Sequence, residues 1–417
     1  MIFFGATILS LFALVFLAFK PQIGLFTLLF LKPIIDATWD HHMFGFNALE
    51  IVGVGVPIIL LFKFLISRDL HLSETPLFKL WVFYVFVNLV SFTLILSSGK
   101  FIGSMDFFFR ILNGFVGYFM LQAYIRDRED FRKLLIIILL AGLFPMLVGV
   151  YQAVTGDIWN VRQTAGDLIR GTGFYHDIFS IRSFAYITIV AIILYWSYYI
   201  DRGFLKKSLL IAYLVLCSVS IFKAYSKAGF AVAVIWIISW TFLNKKFSLL
   251  AAIIVALILA NFAAGNILYK EIAFVFSKES AAIEGTGETK YILSGRLGVW
   301  EGAWHSWKSS SNFNKFFGLG SSGGAAHNDY LKTLISGGIL SLVAYILLLV
   351  MIGWKILRNL AQNFSRLNMA ALMIFLMWLV DTIGLVPSLY PGYQWYVWGF
   401  IGLAFRGIEG LNEKAGS

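Results

Sequence analysis

The stretch GLGSSGGAAHNDYLKTLISGGILSLVAYILLLV, from Gly318 to Val350, passes from a glycine-serine loop into a long apolar run and sets one histidine, His327, at the junction. An apolar run of about 17–25 residues crosses a bilayer as a helix, because lipid offers the backbone no other hydrogen-bond partners. Residues 334–354 meet that requirement. The same pattern recurs at about 2–18, 21–35, 49–66, 77–98, 105–125, 134–154, 177–199, 208–222, 230–243, 247–268, 368–388 and 393–406. These make thirteen candidate spans, or twelve if the first pair or the last is re-entrant.

Composition points the same way. The 417 residues are 59% hydrophobic and 13% charged, with a mean hydropathy of +0.82. The expected fold is all-α, a polytopic transmembrane helical bundle forming one integral membrane domain over 1–417. The net charge of +11 fits loop lysines and arginines that set orientation in a lipid bilayer, and nucleic acid is not an expected partner. One cysteine, Cys217, excludes an intramolecular disulfide framework and a thiolate metal site. The first apolar run is followed at once by a second with no small-residue cleavage pattern, so no cleavable signal is expected.

Orientation follows from the distribution of basic residues. The connections 126–133, 201–207, 244–246 and 355–368, with Arg68, hold thirteen lysines and arginines and are predicted to be cytoplasmic. The short opposite connections hold five: Lys100, Arg162, Arg170, Lys223 and Lys227. The segment 155–176, the turn 223–229 and the longest loop, 269–333, are then expected to face the outside. Within that loop RLGVWEGAWHSWKSS sets Trp300, Trp304 and Trp307 at helical spacing, with Glu301, His305 and Lys308 on another face. An amphipathic helix lying in the headgroup region is expected there.

Polar groups in or beside apolar spans are costly unless paired or hydrated, so each one raises a functional question. On the outer side they cluster: Arg162, Arg170, His176 and Arg182; Lys223 and Lys227; Arg296; His327 with Asn328 and Asp329; and Asp381. Cations at the outer surface suit an anion such as a lipid diphosphate, which arginine grips with a planar fork and lysine with a point charge. A histidine can take a proton from a hydroxyl. Together they fit displacement of a phosphate-type leaving group by an alcohol, with no cofactor and no metal. Asn328 or Asp329 would cap the following helix or orient the ring. Each residue also has a plainer role: His327 as a solvated loop residue, Arg170 or Arg182 reaching to headgroups, Lys227 ending a span, Asp381 pairing a cation. GLGSSGG lacks the spacing and terminal Lys-Ser/Thr of a phosphate-binding loop, so nucleotide binding is rejected.

Three elements in order, SGR-x3-W (Ser294–Trp300), GLG (Gly318–Gly320) and HNDYL-x5-GGIL (His327–Leu340), resemble the signature of the O-antigen ligase and O-antigen polymerase superfamily. YSKAG (Tyr225–Gly229) is similar to the family's Ser-Arg-Gly turn, and IRGTGFYHD (Ile169–Asp177) to its Arg-containing Gly-Thr-Phe element. The resemblance implies a metal-independent, inverting, membrane-embedded glycosyltransferase of cell-envelope polysaccharide biosynthesis. Its donor would be a glycan on a polyprenyl (undecaprenyl) diphosphate. His327 would be the base. Arg296 and Lys227, with Lys223 beside them, would bind the diphosphate, and Arg170 would be a further substrate contact. Arg162, Arg182, Asn328, Asp329 and Asp381 would support. Two positions depart from the pattern: Lys227 stands where the family usually has arginine, and Ser336 where a glutamate often precedes Gly-Ile-Leu.

Two acceptors fit the same donor chemistry. A polymerase extends the next lipid-linked repeat unit; a ligase transfers O-antigen to lipid A-core of lipopolysaccharide. The Arg162-x10-Gly173 pair leans to the polymerase. A small-anion or glycan transporter is a more distant alternative, since no internal repeat is evident.

Overall fold

The structure, a computed structural model, describes all residues except 1, 39–40, 43–44, 68–71, 98, 100, 160–168, 176, 201–202, 264, 321–325 and 412–417. Among the described residues it contains sixteen α-helices and no strand. They are α1 (Ile2–Phe19), α2 (Pro21–Ala37), α3 (Ala48–Ile66), α4 (Phe78–Ser97), α5 (Phe101–Tyr124), α6 (Arg128–Thr155), α7 (Ile178–Tyr199) and α8 (Phe204–Lys223). The chain continues through α9 (Lys227–Leu243), α10 (Phe247–Ala263), α11 (Ile267–Ile283), α12 (Arg296–Lys308), α13 (Asn312–Phe317), α14 (Asp329–Gln362), α15 (Arg366–Gly384) and α16 (Pro391–Arg406). Each of the thirteen predicted stretches contains a helix. Seven helices, α3, α4, α6, α7, α8, α14 and α15, are long and apolar enough to cross a membrane, and α1, α9 and α10 contain shorter apolar stretches. The chain is an all-α, polytopic membrane bundle.

Local chemistry sets the helix starts. Asp127, Asp177, Ser226, Asn328 and Ser365 each accept a hydrogen bond from the backbone N–H three residues on, filling a donor the first turn leaves open. Asn47 and Glu50 close a reciprocal capping box at α3. In the interior, α5 and α16 pack most closely. A Cβ on Gly117 would lie 3.1 Å from the Gln394 carbonyl oxygen, and one on Gly402 would lie 2.5 Å from that of Tyr118. Small residues at such a contact let two backbones meet and gain dispersion contacts that lipid cannot match. Cys217 is buried in this core.

The region 269–333 is largely helical. It holds most of α11, a short 3-10 segment (Thr289–Gly295), α12 and α13. The expected tryptophan helix is α12, where Trp304 and Trp307 meet at 5.0 Å and Ala303 packs with Ala326 and Ile335 against Trp307.

One irregularity shapes the end of the bundle where His327 lies. Within α14, Gly338 adopts φ 73°, ψ −175° and breaks the helix after nine residues. Gly318, at the end of α13, adopts φ 88°, ψ 177°. Only glycine populates that region readily. The two sites interlock: a Cβ on Gly318 would lie 2.2 Å from the Ser336 carbonyl oxygen, and one on Gly338 would lie 2.1 Å from that of Phe316. The break frees carbonyls, and two are taken at once. Leu319 N–H donates to Ile335 O at 2.7 Å, and Ser91 Oγ donates to Gly337 O at 3.1 Å. Gly318→Ala is expected to destabilise the protein by roughly 2–4 kcal/mol, through backbone strain and overlap together. Gly302→Ala, in α12 with nothing within 4 Å of the new methyl, is expected to be neutral or slightly stabilising. Thermal unfolding of both variants in micelles checks this; equal midpoints would remove the interlock from the account.

Candidate functional site

The site forms at the bundle end that the charge distribution predicts to face outside. It draws on the starts of α7, α9, α12 and α14 and the ends of α8 and α15. Left-handed, non-glycine backbone stands two residues before, or at, three of the predicted residues. Tyr225 (φ 43°) precedes Ser226 and Lys227; Leu293 and Ser294 (φ 53° and 59°) precede Arg296; His327 itself has φ 44°. Such conformations are costly and persist where surrounding structure fixes them, often at functional sites.

His327 is exposed at the mouth of α14. Its carbonyl accepts from Trp300 Nε1 at 3.4 Å, which ties it to α12 one turn beyond Arg296. Asn328 is the N-cap, accepting from Leu331 N–H at 2.9 Å. Its Nδ2 donates to Ile383 O at the end of α15, at 3.1 Å. The next residue, Gly384, lies under Arg296: a Cβ there would be 3.2 Å from Arg296 Nη1. Thus the His327–Asn328 turn and the Arg296 guanidinium meet on two consecutive residues. Asp329 points inward, buried, accepting from Tyr345 Oη at 2.8 Å and Ser388 Oγ at 2.5 Å. It holds the helix start and does not face solvent.

The cations gather around Arg296. Lys227 Nζ donates to Ser294 Oγ at 3.1 Å and pairs with Glu279; Ser294 also donates to Glu279 at 2.7 Å. Lys223 Nζ donates to Tyr225 Oη at 2.8 Å and lies 3.7 Å from Glu271. The Lys223 carbonyl accepts from Gly171 N–H at 2.9 Å, which brings Arg170 alongside. Neither Arg170 nor Arg296 has an ion-pair partner within 4 Å among the described residues, and buried Arg170 Nε lacks an acceptor there. Burial first, and repulsion from Arg296 second, lower the Arg170 guanidinium to about 10 against the pull of Glu279. Arg296 is lowered by burial and by the charge of Arg182, with Glu279 opposing. Two arginines held together at that cost form a built cationic site, able to take a multiply charged anion.

Arg182 and Asp381 have a different task. They form a fully buried pair, Nη2 to Oδ1 at 2.7 Å, and Tyr393 Oη donates to the other Asp381 oxygen at 2.9 Å. The Arg182 chain crosses α9 where a Cβ on Gly229 would be 2.8 Å from its Cδ. Its head reaches neither headgroups nor the surface. Arg162 and His176 lie outside the described residues. Gly173, expected as half of the Arg-x10-Gly pair, has φ 61°, and both its backbone groups bond to the Gln152 amide of α6 at 2.9 and 2.6 Å.

Glu271, Glu279 and Gly384 are candidate site residues that the sequence pattern did not single out, and Ser294 entered only as the start of SGR-x3-W. The two acids lie eight apart on α11, on one helix face, a signal visible in KEIAFVFSKES once a helix is drawn there. No protein-family model matches the chain, and no curated protein matches it.

Burial raises the Glu279 carboxyl, but hydrogen bonds from Lys227 and Ser294 and the Lys227 charge outweigh it and hold the pKa below the usual 4.5. Its stabilising contribution is therefore complete above that value and lost as pH falls through the lower folded-state value. Glu279→Gln is expected to flatten the acid limb of the stability-versus-pH curve; an unchanged limb would remove Glu279 from the cation network. Asp381→Asn, which strands the Arg182 charge, should cost about 3–5 kcal/mol, and Arg182→Met with Asp381→Leu should recover much of it. Unfolding titrations in mixed micelles read both, and a double variant as unstable as the single one would contradict the pairing.

Proposed function

We propose that the protein is a glycosyltransferase that moves a glycan from a polyprenyl diphosphate to an acceptor sugar hydroxyl at the periplasmic face of a bacterial inner membrane. The observation that carries this reading is the meeting of Asn328 and Arg296 on Ile383 and Gly384, which sets an exposed histidine beside a crowded cationic site. In this reading His327 takes the proton from the acceptor hydroxyl. The hydroxyl oxygen attacks the anomeric carbon from the face opposite the diphosphate, the carbon–oxygen bond to the diphosphate breaks, and configuration inverts. Arg296, Arg170, Lys227 and Lys223 receive the charge that develops on the departing oxygen, the task a bound metal ion fills elsewhere. The buried pair Arg182–Asp381 and the cap at Asn328 hold the two halves in register.

A polymerase acting on lipid-linked repeat units is favoured over a ligase acting on lipid A-core by the family-like Arg162-x10-Gly173 spacing. The broken helix α14 is the observation that favours a transporter, because broken helices line many transport sites. Its freed carbonyls at Ile335 and Gly337 already accept protein donors, which leaves neither to hold a cargo ion.

Purified protein supplied with polyprenyl-diphosphate glycan and acceptor should form a longer glycan without added metal. His327→Ala should lower turnover by about 10²–10⁴-fold and Arg296→Ala by about 10²–10³-fold, with the thermal midpoint of the histidine variant unchanged. Full transfer by His327→Ala would remove the base assignment. Glycan uptake into proteoliposomes without bond formation would replace the transferase with a transporter.

A further inference from the structure

A second polar site lies deeper in the bundle, between α4, α5, α14 and α16, beneath the turn that carries His327. Its walls include Trp81, Arg110, Asp329, Lys332 and Ser336. On α14 the polar positions Asp329, Lys332, Thr333 and Ser336 follow the i, i+3, i+4, i+7 spacing of one helix face and all line the cavity. They precede the break at Gly338, so this face belongs wholly to the short first section of the helix.

Three side chains lining this cavity are buried with polar atoms that lack a partner among the described residues: Arg110 Nη2, Trp81 Nε1 and Ser336 Oγ. Their residues are 7%, 1% and 1% exposed. All three can donate. Asp329, the single carboxylate in the wall among the described residues, already accepts from Tyr345 and Ser388, and Asp106, which pairs with Arg110 through Nε at 3.6 Å, is half exposed. The cavity therefore offers buried donors and two cationic side chains, Arg110 and Lys332, to an occupant that accepts. Size narrows the class. The space open to the centre of a water-sized particle is about 20 Å³, room for about one such particle and too little for a phosphate or a sugar.

We propose that this cavity is a binding site for a monatomic, chloride-sized anion, held by Arg110, Trp81 and Ser336 with Lys332 supplying further positive charge. The anion ties α4 and α5 to the first section of α14 and so steadies the helix start on which His327 stands. The site is separate from the cationic cluster around Arg296, and its occupancy is read without any transfer assay.

The test uses the full chain in detergent micelles, comparing sodium chloride, sodium bromide and sodium gluconate at matched ionic strength. Chloride and bromide should raise the unfolding midpoint saturably, by about 2–5 °C, while gluconate should not. Arg110→Gln should raise the half-saturating chloride concentration at least about tenfold. Ser336→Asp, which supplies a carboxylate of its own, should fold and lose the halide dependence. Bromide-soaked crystals should give an anomalous peak between Arg110 and Ser336. Equal midpoints in chloride and gluconate, a halide effect unchanged by Arg110→Gln, or a cavity holding water with no bromide peak would each overturn the proposal.

Discussion

The interlock of Gly318 with Gly338 is the constraint on which the functional end of this bundle depends. Without side chains, α13 and α14 approach until the backbone of each occupies the space a Cβ would need on the other. That contact breaks α14, and the loop backbone takes over part of the lost hydrogen bonding through Leu319. A freed carbonyl in a membrane interior is expensive unless it is re-paired, so the break and the loop are one device. Its consequence is a short first helical section whose N-terminal turn, Asn328, is anchored separately to the end of α15. His327 stands on that section and inherits its position from two anchored ends.

Around this frame the charges divide by burial. Arg182 is fully enclosed and paired with Asp381, whose other oxygen accepts from Tyr393, an arrangement that fixes α7 against α15 and α16. Lys223 and Lys227 are half-buried and lean on Glu271 and Glu279. Arg170 and Arg296 are set close together without such partners among the described residues, and burial first, with the Arg296 charge second, lowers the Arg170 guanidinium. The gradient from matched to unmatched charge points toward Arg296. An anion that bridged the two arginines would relieve the repulsion that folding imposes, which is how a protein stores affinity for a ligand it has yet to meet.

Much of this was legible in the residues. Hydropathy located thirteen helical stretches, because a bilayer requires length and apolarity that nothing else in the chain imitates. The tryptophan spacing in 300–307 located α12. The cations of the site were legible because charge is conspicuous in an apolar chain. Their acids were not: Glu271 and Glu279 fall on a helix whose exposed and mixed character hides it from a hydropathy reading. Arg182 and Arg170 looked alike in sequence, though one is a fully buried, paired cation and the other stands beside Arg296 in the candidate site. Nor could GLG and GGIL be recognised as partners across about twenty residues. As a flexible loop, the first run had no reason to need the second.

By itself the sequence determined the class of fold and the place of a histidine at a helix start, since these depend on local pattern and on composition. The tertiary structure alone decided which cation is neutralised, which carboxylate is withdrawn into the bundle, and that Asn328 and Arg296 meet on Ile383 and Gly384. Those outcomes depend on packing between helices far apart in the chain, where a missing methyl group or a buried partner settles what spacing along the sequence leaves open.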